Sequence, residues 1–65
     1  MEKEWVKIFV ALDELQIEFA RQELERWEID SVVVNKQDRV YKFGQLELYV
    51  HRDNAIRAKQ ILKDF

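Results

Sequence analysis

The chain has no cysteine, no proline and a single glycine among its 65 residues. Without cysteine there is no disulfide framework, no thiolate nucleophile and no thiolate-ligated zinc site. Ser31 is the only serine and threonine is absent, so no serine–histidine–aspartate arrangement is worth naming. One glycine, Gly44, is too few for a phosphate-cradling loop. His51 is also alone, and one imidazole with no thiolate does not make a conventional transition-metal site. No stretch approaches the roughly 18 apolar residues of a membrane span, and no signal peptide opens the sequence. A cytoplasmic location is the expectation. Eleven basic against thirteen acidic side chains leave a net charge of -2 and a pI near 5.3, which argues against a nucleic-acid binder held by phosphate contacts. Together these absences predict no enzyme activity, no metal and no cofactor.

What is there is the balance of a small folded domain: 48% hydrophobic and 37% charged residues. A chain of this size buries only about 60% of the surface its unfolded form exposes, so one small core over residues 1–65 is expected. Residues 5–11 are rich in β-branched and aromatic types and read as a strand. Val6, Ile8 and Val10 fall on one face of it, Trp5, Lys7 and Phe9 on the other. Asp13 fits a helix N-cap. Ile17, Ala20, Leu24 and Trp27 follow at the spacing of a buried stripe, in a helix that runs to about Glu28 and stops irregularly for want of a glycine. Leu15 and Phe19 form a second, smaller apolar patch on the same helix.

Residues 29–34 read as a second strand and the polar run 35–39 as a turn. Residues 40–50 then alternate as a third strand, in which Gly44 marks a bulge or break. A second helix is expected from Asp53, as N-cap, to Lys63, with Ala55, Ala58, Ile61, Leu62 and Phe65 toward the core. The order strand, helix, strand, strand, helix predicts an α+β fold. Two helices lie on one face of a small mixed sheet whose first two strands are parallel, a βαββα sandwich one strand short of the ferredoxin-like pattern.

Strand parity then points to a surface. With Val6, Ile8, Val10, Leu46, Leu48 and Val50 under the helices, the opposite face holds Trp5, Phe9, Tyr41, Phe43 and Tyr49. Each such ring buries about 150–250 Å² when covered, so the set exceeds the apolar patch usual for a monomer. A homodimer or small homo-oligomer covers it most simply, and a partner protein would use the same surface. The alternatives are that the strand faces are assigned the wrong way round, or that Phe65 and its flanking chain fold over the rings.

Two polar segments give a second reading, a sensor for a small anion or nucleotide: Lys36 and Arg39 in the turn, and Arg52 where the second helix opens. An aromatic sheet face is also a property of RNA-recognition modules, but Glu47 on that face and the acidic balance argue against RNA.

The run Leu24-Glu25-Arg26-Trp27-Glu28-Ile29, followed by a valine strand, is similar to a passage in a family of small bacterial domains. So are Leu46-Glu47-Leu48-Tyr49-Val50 and the later Asp53-Asn54-Ala55, Ala58 and Ile61-Leu62, and residues 34–38 look like the version in Bacteroidetes-type members. That family is described as prokaryotic signal-transducing proteins and is classed as a domain of unknown function. The resemblance spans residues 5–62. It implies a ferredoxin-like fold of the nitrogen-regulatory PII kind and a signalling role, and it carries over no functional residue. Glu28 stands where the family usually has glycine, and His51 where many members have proline.

Overall fold

A computed structural model describes residues 4–37, 40 and 44–65. Within them the elements run β1 (Trp5–Ala11), α1 (Glu14–Arg26), β2 (Ser31–Asn35), β3 (Leu46–His51), a 3-10 turn (Arg52–Asn54) and α2 (Ala55–Ile61). The fold is α+β: a three-stranded antiparallel sheet and two helices. Strand order is β1-β3-β2, with β3 antiparallel to both neighbours.

The expected mixed sheet is therefore corrected. Strands β1 and β2 do run parallel, but they never pair, because β3 lies between them. The connection through α1 leaves a gap one strand wide, and the strand that fills it is the most deeply buried of the three. Leu46, Leu48 and Val50 are at most 2% exposed and meet Ile17, Ala20 and Leu24 of α1 with Ala58 and Leu62 at α2 in one core. Both helices thus cover the same face.

Strand β1 departs from simple alternation. Its register against β3 shifts between Lys7 and Phe9, so Ile8 is a bulge residue. Val6 opposes Val50 before the bulge, while Phe9 opposes Leu48 and Ala11 opposes Leu46 after it. One extra residue inverts the facing of everything beyond it. The placement of Phe9 on the uncovered face is corrected accordingly: its ring packs against the core and edge-on to Phe65, with centroids 6.0 Å apart. Val10 correspondingly turns to the helix-free face and is exposed.

Helix α1 begins as expected, the Asp13 carboxylate accepting from the Leu15 N–H at 2.9 Å. Its end is ordered rather than irregular. The Glu28 N–H donates to the Glu25 carbonyl at 2.9 Å and the Ile29 N–H to the Leu24 carbonyl at 3.0 Å, the paired bonds of a Schellman cap. Leu24 and Ile29 are both buried and supply the apolar contact that accompanies it. Glu28 takes the left-handed conformation, φ 61°, which costs a residue with a side chain about 1–2 kcal/mol. Trp27, at the cap, is half exposed rather than part of the buried stripe. The expected cap of the second helix is also corrected. Asp53 does not cap it; the Asp53 N–H donates to His51 Nδ1 at 3.2 Å, and the 3-10 turn precedes α2.

Candidate interaction surface

The helix-free side of the sheet carries Lys7 and Val10 from β1, Val32 and Val34 from β2, and Glu47 and Tyr49 from β3. Cross-strand pairing sets them side by side: Lys7 and Val32 both oppose Tyr49, and Val10 and Val34 both oppose Glu47. Trp5 stands at one end of the sheet, edge-on to His51 with centroids 6.1 Å apart. Val10 and Val32 are each 41% exposed.

At the centre of this side lies a carboxylate that simple alternation would leave in water. Glu47 is only 5% exposed. The Tyr49 hydroxyl donates to its Oε1 at 2.8 Å and the Gln45 amide to its Oε2 at 3.1 Å, while Lys7 Nζ lies 3.5 Å from Oε2. Gln45, Glu47 and Tyr49 alternate along one face, which brings donor, acceptor and donor together without help from other elements. The Tyr49 and Gln45 hydrogen bonds hold the Glu47 carboxyl below its ordinary range, against an opposing effect of burial; the charges of Lys7 and Lys36 add to the lowering. The same bond to Glu47, with burial and the nearby negative charge, raises the Tyr49 hydroxyl.

These shifts have opposite consequences for stability. A lowered Glu47 contributes in full above its unfolded value of about 4.3, and the contribution fades as pH falls through the folded value. A raised Tyr49 contributes below about pH 10 and fades as pH rises through its folded value. In urea titrations at pH 7 and pH 3, the midpoint of the native chain is expected to fall further than that of Glu47→Gln. Glu18, held low chiefly by its hydrogen bond from Arg21, leaves the variant some residual slope. Equal drops in the two proteins would remove Glu47 from the acid response.

Of the residues singled out in the sequence, Trp5 and Tyr49 belong to this side of the sheet, and Phe9 does not. Tyr41, Phe43 and Arg39 lie outside the described residues. Lys36 follows β2, its N–H donating to the Gln45 carbonyl at 3.0 Å, whereas Arg52 follows β3 at its far end, its N–H donating to the Glu4 carbonyl at 2.7 Å. The length of β3 separates the two, about 20 Å at strand rise, so they do not converge on one small anion.

Several charges of α1 pair with one another along the helix. Arg21 bridges Glu18 and Glu25, and Arg26 pairs with Glu23. The shallow hollow lined by Arg21, Gln22, Glu25 and Arg26 therefore has its cations already compensated. Among the described residues no three acidic or imidazole groups gather as metal ligands, and no helix is long and apolar enough to cross a membrane.

No family model, curated protein or solved structure matches the chain.

Proposed function

We propose that this domain is a non-enzymatic regulatory or protein-interaction module with a signal-transduction role in a bacterial cytoplasm. Its partner is a second copy of itself, met through the helix-free side of the sheet. The observation that carries this reading is the pair Val10 and Val32, 41% exposed on the side that neither helix covers. Tyr49 lies between their strands, its hydroxyl already satisfied by Glu47, so it offers a ring without an unmet polar group. A three-stranded sheet whose helix-free side leaves Val10 and Val32 in water gains from a second layer.

The finer fold reading is a βαββα sandwich of the ferredoxin-like, PII-like kind. Strand order β1-β3-β2 supports it, being that of a split β-α-β unit. The similarity of residues 24–29 and 46–50 to the bacterial signal-transducing family supports the role.

Sedimentation velocity over a micromolar concentration series tests the function. The native chain is expected to sediment as a dimer or small oligomer and Val10→Lys as a smaller species with unchanged circular dichroism. A native chain that stays monomeric throughout, or a variant that associates equally well, would overturn the reading.

A further inference from the structure

The two outer strands of the sheet differ in how their free edges are protected. The edge of β1 is interrupted by the Ile8 bulge, a common device against unwanted pairing. The edge of β2 has none: Ser31-Val32-Val33-Val34-Asn35 is uncharged, free of proline and glycine, and in continuous register with β3. Among the described residues nothing pairs with its outer side.

The free backbone groups can be named. Lys36 N–H donates to the Gln45 carbonyl, and in an antiparallel ladder hydrogen-bonded and non-hydrogen-bonded pairs alternate. Val34 and Val32 therefore bond inward to Glu47 and Tyr49, their partners in register. The N–H and C=O groups of Ser31, Val33 and Asn35 point outward.

We propose that β2 pairs antiparallel with β2 of a second copy about a two-fold axis at Val33, joining two sheets into one of six strands. In that register Val33 faces its own counterpart, and the two residues exchange N–H···O=C bonds. Val32 lies opposite Val34 of the other copy, and Ser31 opposite Asn35. One step farther, Asp30 lies opposite Lys36. Both are exposed and flank the strand, one at each end. The strand is thus self-complementary in charge as well as shape, and the contact occurs twice across the axis. Shifting the register by two residues loses this charge match; shifting it by one places valines against the wrong face. The half-buried Val33 side chains meet on the helix side and extend the core across the axis.

This inference rests on the self-association proposed above but assigns it a separate interface, since Val10 is on the opposite edge strand. The test is amide hydrogen exchange read residue by residue across a concentration series, alongside sedimentation. The Ser31, Val33 and Asn35 amides are expected to exchange quickly when dilute and to become protected as the chain associates. Asp30→Lys is expected to weaken association about tenfold by opposing two lysines at each end, and the double swap Asp30→Lys/Lys36→Asp to restore it. Fast exchange at the three amides in a chain that still sediments as an oligomer would overturn the edge pairing and leave the face reading standing. So would a double swap as weak as the single variant. A chain that is monomeric at every concentration would overturn both.

Discussion

Leu48→Ala is expected to leave the domain largely unfolded at room temperature. Leu48 is fully buried, sits on the central strand, and opposes Phe9 on one side and Val33 on the other. Removing a buried leucine side chain costs about 2–5 kcal/mol, the higher values where the surroundings cannot collapse into the space. Collapse is hard here, because β3 is held by hydrogen bonds on both edges. A core this small rarely supplies more than about 3–5 kcal/mol in total, so one substitution consumes most of it. Urea titration followed by tryptophan fluorescence measures the effect, with the exposed Val32→Ala as a control expected to change stability far less. A Leu48→Ala midpoint within error of the native one would mean that the packing around β3 is not what holds the sheet.

The second large effect is expected at Gly44. Its φ of +112° is a conformation that side-chain-bearing residues rarely adopt, and the backbone strain alone costs about 1–3 kcal/mol. The surroundings add to this. A Cβ at Gly44 would stand 2.4 Å from the Lys36 carbonyl oxygen, 3.1 Å from its carbon and 3.2 Å from the Gln37 Cα. All three are backbone atoms, in a segment pinned by the Lys36 N–H to the Gln45 carbonyl at 3.0 Å, the Gln37 N–H to the Asn35 side chain at 2.8 Å and the Gln37 side-chain amide to the Leu12 carbonyl at 3.0 Å. Gly44→Ala therefore either displaces this segment or breaks the approach to β3. A fall in melting temperature of at least 10 °C is expected, given roughly 4–8 °C per kcal/mol for a domain of this size. A fall of a degree or two would show that the segment yields freely.

Much of the fold is legible in the residues themselves. The Ile17, Ala20, Leu24 spacing and the Asp13 cap locate α1, and the alternation of Leu46, Leu48 and Val50 locates the buried face of β3, because each is a local pattern. Three features were not legible, for a shared reason. The Ile8 bulge depends on how β1 meets β3, and no property of Ile8 announces it, so strict alternation misplaces Phe9. The ordered end of α1 uses a glutamate where glycine is the usual signal, and the buried Leu24–Ile29 contact offsets the strain. The buried Glu47 looks like an outward-facing charge until Lys7 is known to lie beside Tyr49, which only the register reveals. The i, i+2 spacing of Gln45, Glu47 and Tyr49 was the one available clue.

The central position of β3 also orders events during folding. Every rung of the sheet includes a residue from 45–52, so α1 is able to wind early, but β1 and β2 have nothing to hydrogen-bond until that stretch is present. The chain must then close a loop of 34 residues, 12–45, between β1 and β3, at a conformational cost that grows only slowly with loop length but delays the reward. Assembly is accordingly a late, concerted event in which the two outer strands are recruited by the last one made.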